Sequence, residues 1–163
     1  MSGSFSAENA HEIIMNHGGI LSLYELREET GELNCKYTKE AFSIVREIMP
    51  FRMLGDTRDL LVVASDSGRI VVLDYNVAND KFEVQHCETY GKSGCRRVVA
   101  GEYLAGDPKG RAIMIAAVER QKFIYLLNRD KAGNPCISSP IEAHKNGTVT
   151  YTIVGLDSGF ENP

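Results

Sequence analysis

The fold is decided by one stretch of sequence, which reads Leu60-Leu-Val-Val-Ala64, Asp66-Ser-Gly68, Ile70-Val-Val-Leu-Asp-Tyr75, Asn79-Asp80. Two runs rich in Val, Ile and Leu flank a short polar turn signal, and a second turn signal follows them. Such runs fit a pleated, buried surface, and the dipeptides between them are typical of hairpin turns. The stretch therefore predicts the order strand, tight turn, strand, turn.

The same order occurs twice more along the chain. The first copy is Glu12–Met15, His17–Gly19, Ile20–Leu26 and Thr30-Gly31, and the third is Ile113–Val118, Glu119–Lys122, Phe123–Leu127 and Asp130–Gly133. The second strands of the three copies begin at Ile20, Ile70 and Phe123, 50 and 53 residues apart. A period of this length suits one four-stranded blade of a β-propeller.

The segments between the copies repeat as well, because Glu40-Ala-Phe, Glu88-Thr-Tyr and Glu142-Ala-His occupy equivalent places. The sequence thus predicts an all-β protein of antiparallel four-stranded blades, about three blades of an incomplete propeller spanning residues 1–163. The approximate repeats are 11–59, 60–111 and 112–163. We expect tight connections near Gly18, Ser67 and Arg120. By phase a fourth copy would begin after Pro163, so we expect a piece of a larger protein.

One segment also fits a helix. Ala41, Ile44, Val45 and Ile48 follow helical spacing, so Glu40–Met49 taken alone reads as an amphipathic helix. Its counterpart in the next repeat, Glu88–Arg97, contains two glycines and is a poor helix. The repeat therefore favours a strand, and the helix remains the alternative.

Composition narrows the class of protein without naming a function. The 163 residues are 43% hydrophobic and 25% charged, with a net charge of −4, so any nucleic-acid contact must be local. The sequence shows no signal peptide and no apolar run long enough to span a membrane. The cysteines, Cys35, Cys87, Cys95 and Cys136, lack metal or disulfide spacing and are interpreted as reduced thiols of an intracellular protein. Asn146-Gly147-Thr148 is then interpreted as a turn and not as a glycosylation site.

The sequence offers no catalytic, cofactor or metal site. Gly91-Lys92-Ser93 resembles the end of a phosphate-binding loop, but His86 stands where that loop needs its first glycine. The four histidines are scattered, and Asp66-Ser67-Gly68 joins two strands and not a strand and a helix. We therefore expect no enzymatic activity, no cofactor, no metal ion and no small-molecule substrate.

A basic cluster is the most informative polar feature of this acidic chain. Lys92, Arg96 and Arg97 lie in a glycine-rich segment, and Arg120 and Lys122 lie in the expected tight turn of the third copy. Arginine forks suit bidentate contacts to carboxylates or phosphates, and turns are accessible to partners. The cluster is a candidate docking patch for an acidic protein surface or a nucleic-acid backbone. The alternative is that these are ordinary solvated turns.

Several motifs resemble the N-terminal region of the splicing factor 3B subunit 3 family. They are Ser65–Leu73, Glu88–Arg97, Asp107–Ala112, Tyr125–Asp130 and Gly159–Pro163, and the similarity runs from about Gly3 to Pro163. Related families are the large subunits of the damaged-DNA-binding complex and of the cleavage and polyadenylation specificity factor. The resemblance implies three seven-bladed propellers and a helical C-terminal region in the family's full-length members. The chain departs from the family at Met1–Ser6, where the family has a further N-terminal strand.

The resemblance also implies a function. It implies a nuclear, non-enzymatic scaffold of the U2 particle in pre-mRNA splicing, which binds other splicing factor 3B subunits and U2 particle proteins and touches RNA locally or indirectly. The alternative, taken from the sister families, is an adaptor propeller in a ubiquitin-ligase or 3′-end-processing complex. The resemblance implies no membrane partner.

Overall fold

Strands alone build the described part of the chain. The computed structural model describes residues 1–41, 43–89, 103–116 and 119–157. Within those ranges every regular element is a β-strand, and the strands form three antiparallel sheets. The all-β class expected from the repeat is confirmed. No helix long and apolar enough to cross a membrane occurs among these residues.

The first sheet has the strand order β1-β2-β3-β4. Its strands are β1 (Ser2–Gly3), β2 (Glu12–Asn16), β3 (Ile20–Arg27) and β4 (Glu32–Glu40). Ile14 pairs with Leu23 across β2 and β3, and both side chains are buried. Neighbouring positions alternate between the two faces of the sheet, so Ile14 and Leu23 lie on the face that packs against the second sheet.

The second sheet lies between the other two and has the order β5-β6-β7-β8. Its strands are β5 (Val45–Phe51), β6 (Leu60–Ser65), β7 (Arg69–Asn76) and β8 (Lys81–Thr89). All six residues of β6 are buried. Leu61 and Val63 pack toward the first sheet, whereas Val62 and Ala64 pack toward the third. This double burial explains the uninterrupted apolar run of β6.

The third sheet has a divided outer strand. Its strands are β9 (Tyr103–Gly106), β10 (Ala112–Ala116), β11 (Glu119–Arg129), β12 (Pro135–Ile137) and β13 (Ile141–Val149). Both β12 and β13 pair with β11, through Leu127 with Ile137 and Phe123 with Glu142. Pro140 lies between them and has no N–H to donate to a ladder, so the outer strand is interrupted there.

Two hydrophobic clusters fill the spaces between the sheets. The first interface, between the first and second sheets, is formed by Phe5, Ile14, Leu21, Leu23, Val45, Leu61, Val63, Val71, Leu73, Tyr75 and Phe82. The second interface, between the second and third sheets, is formed by Phe51, Met53, Leu60, Val62, Ala64, Ile70, Val72, Leu104, Ile113, Ile115, Phe123, Tyr125 and Leu127. Each sheet face is therefore specified by alternate residues of the repeat.

The structure corrects two expectations and decides a third. The first strand is not the predicted Glu12–Met15 but β1, which adds to the edge of β2 and places a strand within Met1–Ser6. Arg120 does not lie in a tight turn, because β11 already begins at Glu119. The segment that also fitted a helix contains the start of β5 at Val45. The division into repeats 11–59, 60–111 and 112–163 stays a prediction.

The sheets share two distinct ends. At the connection end, Gly18 O accepts the Val45 N–H (2.8 Å) and Ile44 O accepts the Asp66 N–H (3.0 Å), so turns of the first two sheets join there. At the loop end lie the segments 4–11, 52–59 and 107–111, together with the turns 28–31, 77–80 and 130–134. These two ends present different charges.

Candidate interaction surfaces

The predicted docking residues divide into two groups. Lys92, Arg96 and Arg97 lie outside the described residues. Arg120 and Lys122 both belong to β11, and so they extend from a strand and not from the tight turn that the sequence suggested. The error has a simple cause, since Glu119–Lys122 is as polar as a turn although its backbone continues the ladder from Phe123.

Strand pairing shows at which end of the sheets the strands before and after residues 90–102 end and begin. Tyr103, the first residue of β9, pairs with Ala116, and Ala116 pairs with Lys122. Thr89, the last residue of β8, pairs with Arg69 beside the turn between β6 and β7. The strands that flank residues 90–102 therefore stop and start at the connection end. Strands are spaced about 4.8 Å apart, so Lys122 lies about 10 Å from Tyr103.

Basic side chains at the connection end have no carboxylate partner among the described residues. Arg46 and Arg69 are exposed and Lys122 is half-buried, and none of the three forms an ion pair within that part of the chain. Asp66 is exposed in the turn next to Arg69. Unpaired guanidinium and ammonium groups retain their full capacity to bind a partner's anions.

Most basic side chains in the loops at the loop end form ion pairs with carboxylates of their own chain. The ion pairs there are Arg52 with Asp59, Arg58 with Asp74, Lys109 with Asp157, Arg111 with Asp107 and Arg129 with Asp56. The acidic residues in its loops and turns are Glu8, Glu28, Glu29, Asp56, Asp59, Asp80, Asp107 and Asp130, and the basic ones are Arg52, Arg58, Lys109, Arg111 and Lys131. Acidic residues thus outnumber basic ones at this end.

A buried carboxylate organises the first interface. The Glu12 side chain is 0% exposed and accepts hydrogen bonds from the Phe5 N–H (2.8 Å), the Ser6 N–H (2.8 Å) and the Ser6 hydroxyl (2.6 Å). Lys36 Nζ lies 3.4 Å from the same carboxylate. Glu12 therefore fixes the N-terminal segment so that Phe5 enters the cluster between the sheets.

Asp59 and Arg58 reinforce the same interface from the second sheet. Asp59 accepts the Ser4 N–H at 2.8 Å and pairs with Arg52, whose pKa this contact raises. Arg58 Nη1 donates to Phe5 O and to Tyr75 O, both at 2.9 Å. The bonds to Phe5 and Ser4 join residues 53 and 55 positions apart, so no local sequence pattern could predict them.

The second interface has its own ties. Glu47 on β5 accepts the Leu104 N–H of β9, and burial, partly offset by this hydrogen bond, raises the pKa of Glu47. Gly110 lies so close to the 52–54 backbone that a Cβ there would be 2.2 Å from Arg52 O. Arg129 of β11 donates to Asp56 of the second sheet. Leu104 is the second residue of β9, which begins directly after residues 90–102, so Glu47 fixes the strand that follows this segment.

Within the described residues no three His, Cys, Asp or Glu side chains are grouped so that they could hold a metal ion. Cys35, Cys87 and Cys136 are free and exposed on the outer strands. The His86 ring and Glu88 form a pair at 3.3 Å on β8.

Comparison with known proteins identifies the family. The family model described as "RSE1/DDB1/CPSF1 first beta-propeller" matches residues 1–163. The chain belongs to this family. The resemblance expected from the sequence is confirmed, and the three sheets are about three blades of a β-propeller.

Relatives are similar over the whole chain. Splicing factor 3B subunit 3 of Danio rerio is 53% identical over 161 residues, which cover 99% of this chain and 13% of the relative. The probable splicing factor 3B subunit 3 of Dictyostelium discoideum is 50% identical over 163 residues, covering 100% and 13%. The pre-mRNA-splicing factor prp12 of Schizosaccharomyces pombe is 49% identical over 160 residues, covering 98% and 13%. The chain therefore spans about an eighth of the length of these relatives.

Proposed function

We propose that this chain is part of a non-enzymatic nuclear scaffold of the U2 particle in pre-mRNA splicing. Its blades contact other splicing factor 3B subunits and U2 particle proteins. The observation that carries the proposal is the identity of about one half, over essentially the whole chain, to relatives that are named splicing factors. The fold supports it as well, because the three sheets are about three blades of a β-propeller.

The experiment is affinity purification of the protein from its own cells, followed by mass spectrometry of the proteins that accompany it. We expect splicing factor 3B subunits and U2 particle proteins to be enriched. Enrichment of cullins would instead support the ubiquitin-ligase adaptor, and enrichment of cleavage-factor subunits would support 3′-end processing. Either of these two results overturns the proposal.

We further propose that Lys92, Arg96, Arg97, Arg120 and Lys122 dock an acidic protein surface or a nucleic-acid backbone. The proposal is supported by the connection end, where the flanking strands of both groups meet and where Arg46, Arg69 and Lys122 have no carboxylate partner among the described residues. Charges at such a surface govern the rate of association and its salt dependence more than total affinity.

The test reverses Arg96 and Arg97 to Glu. We expect slower assembly at low salt and a smaller effect at high salt, with little change in folding. The matched control is Arg27→Glu with Lys131→Glu, because both residues are exposed at the loop end and the net charge changes equally. If the two double variants assemble at equal rates across a salt series, Arg96 and Arg97 are ordinary solvated residues.

A further inference from the structure

One apolar side chain is held in a fixed position at the connection end. Ile44 lies between turns of the first two sheets, because Gly18 O accepts the N–H of its neighbour Val45 and Ile44 O accepts the Asp66 N–H. The Ile44 side chain is nevertheless 55% exposed. A partner that covers this side chain therefore has no loop to order, which removes one of the usual costs of binding.

Two guanidinium groups lie near Ile44 in the second sheet. Arg46 follows it by two residues, and Arg69 is the first residue of β7. Because β6 lies between β5 and β7, two strand spacings, about 10 Å, separate the backbone of Arg69 from that of Val45. Both arginines are exposed, and neither forms an ion pair among the described residues.

The carboxylates of this end do not neutralise the two arginines. Among the described residues of the first two sheets, the exposed carboxylates here are Glu40 and Asp66, and neither forms an ion pair. The guanidinium groups of Arg46 and Arg69 therefore keep their donors for a carboxylate of a partner, which such groups bind through two parallel hydrogen bonds.

A small apolar recess opens beside Arg69, between the first and second sheets. Its volume is about 20 Å³, so it has room for a group about the size of a methyl group. Six apolar side chains line it, together with Lys39, Ser43, Ser65 and Arg69. Ser43 and the apolar Val45 are the two neighbours of Ile44 in the chain, so the recess adjoins the exposed isoleucine.

We infer that the connection end binds an acidic segment of a partner protein that carries an aliphatic side chain, and not a nucleic-acid backbone. The aliphatic side chain packs on Ile44 beside the recess, and carboxylates of the segment pair with Arg46 and Arg69. The inference rests on the docking function proposed for the basic cluster, and it selects one of the two classes of partner.

The apolar side chains of this end favour a protein partner. In the described parts of the first two sheets, the exposed large apolar side chains near this end are Ile20 and Ile44. Proteins that hold single-stranded nucleic acids combine basic grooves with aromatic rings on which bases stack. Isoleucines offer no such stacking surface, whereas they bury well against an aliphatic side chain.

The test measures fluorescence anisotropy of the purified protein with two fluorescein-labelled probes. One is a peptide with a single valine between two triglutamate runs, and the other is an oligouridylate RNA. We expect tighter binding of the peptide. Arg69→Gln should weaken peptide binding about tenfold at low salt and less at high salt, because a charge-assisted contact is lost. Arg27→Gln is the matched control, since Arg27 is exposed near the loop end, and it should leave the affinity within about twofold.

A second pair of variants leaves every charge unchanged. Ile44→Ser should weaken peptide binding about fivefold at both salt concentrations, because lost apolar burial is not screened by salt. The matched control is Val77→Ser, since Val77 is 59% exposed in a loop-end turn, and its effect should stay within about twofold. When serine replaces the valine of the peptide, the original protein should lose affinity and the Ile44→Ser variant should not.

A third variant should gain affinity, which misfolding cannot imitate. Asp66→Asn removes an exposed negative charge from the turn before Arg69, so it should tighten peptide binding about twofold. The inference is overturned by equal losses for Arg69→Gln and Arg27→Gln, by unchanged binding in Ile44→Ser, by weaker binding in Asp66→Asn, or by tighter binding of the RNA than of the peptide.

The failures of the three proposals are distinguishable. The scaffold function fails if splicing proteins are not enriched in the purification, and docking by the basic cluster fails if reversal of Arg96 and Arg97 leaves assembly unchanged. Neither experiment alters Ile44 or Arg69, so the choice of an acidic, aliphatic partner segment is tested separately.

Discussion

The two interfaces between the sheets are built differently, although the sequence repeat is the same. In the first interface, Phe82 makes edge contacts with Phe5 and Tyr75 at centroid distances of 5.9 and 5.1 Å, and the Tyr75 hydroxyl donates to Asp80. The second interface also buries three aromatic side chains, Phe51, Phe123 and Tyr125, but the buried Tyr125 hydroxyl has no hydrogen-bond partner within the described part of the chain. A repeat therefore fixes which faces meet, while individual residues decide how they are held.

The first interface is held mainly by polar hydrogen bonds, and the second mainly by close packing. The first interface depends on Glu12, Asp59 and Arg58, which bind backbone groups of the N-terminal segment. The second depends on Gly110, whose backbone touches the 52–54 segment, and on fewer polar bonds. Substitutions that remove a carboxylate should therefore damage the first interface most, and substitutions that add volume should damage the second.

The largest expected effect is that of Gly110→Val. Gly110 has φ +72°, and a Cβ there would lie 2.2 Å from Arg52 O, so the variant adds backbone strain to a backbone clash. We expect a loss of about 3 kcal/mol or more in the free energy of unfolding, measured by urea denaturation. Gly133→Val is the matched control, because Gly133 has φ +86° and no atom within 4 Å of its Cβ position. Equal losses would show that packing at Gly110 contributes nothing.

The next effect is that of Glu12→Ala, which should loosen the first interface. Without the carboxylate the Phe5 and Ser6 N–H groups lose their acceptor inside the protein. We expect a loss of about 3 kcal/mol, because buried donors left unpaired cost about 1–3 kcal/mol each. The control is Glu25→Ala, since Glu25 also lies near Lys36, at 3.9 Å, but is half exposed. If Glu25→Ala destabilises the protein as much, the N-terminal segment is not held by Glu12.

The contrast also shows what could be predicted from the sequence. The repeat predicted the strands of both interfaces, and it favoured a strand over the helical spacing around Ile44 because the counterpart segment Glu88–Arg97 contains two glycines; in the structure β5 begins at Val45. It missed β1, since a strand of two residues has no periodicity to detect. It also misplaced the turn at Arg120, because polarity alone does not separate a turn from an exposed strand end.

The surfaces were less predictable than the fold. The basic cluster could be found because its residues are close in sequence, although its three central members lie outside the described residues. The bond between Arg129 and Asp56 could not be predicted, since the two residues are 73 positions apart and meet only after two sheets pack together. Ion pairs between distant residues also cannot be predicted from the sequence, and they determine which arginines remain available to bind a partner.

A smaller effect is expected when Tyr75→Phe removes one hydroxyl from the first interface. Burial first, and then Asp80, raise the pKa of Tyr75, so the hydroxyl is protonated and donates to the Asp80 carboxylate. Its removal should cost about 1–2 kcal/mol, because the acceptor is charged but partly solvated. Thermal or urea unfolding measures the loss. A variant as stable as the original would mean that the aromatic contacts alone hold this part of the interface.

The contribution of Glu47 to the free energy of unfolding should depend on pH. We expect this effect to be smaller than those of the substitutions above, and its sign follows from the direction of the pKa shift. The pKa of Glu47 is raised in the folded protein, so the folded state binds the proton more readily than the unfolded chain. Its contribution to stability therefore declines as pH rises from the ordinary glutamate pKa through the raised folded value. Urea unfolding between pH 4 and 8 should show this decline in the original protein and not in Glu47→Gln. A steeper decline in Glu47→Gln would contradict the assignment.

The smallest expected effect completes the comparison of the two tyrosines. The Tyr125 hydroxyl is fully buried and unpaired in the described structure, and burial followed by the nearby Glu88 charge raises its pKa. Tyr125→Phe removes a desolvated polar group and keeps the ring against Ile113 and His86. We expect stability to be unchanged or to increase by up to about 1 kcal/mol, since an unsatisfied buried hydroxyl costs free energy in the original protein. The sign is thus opposite to that of Tyr75→Phe, although the same atom is deleted from the same kind of strand. A loss of stability equal to that of Tyr75→Phe would mean that the Tyr125 hydroxyl forms a hydrogen bond in solution. Both interfaces would then be stabilised by a tyrosine hydroxyl.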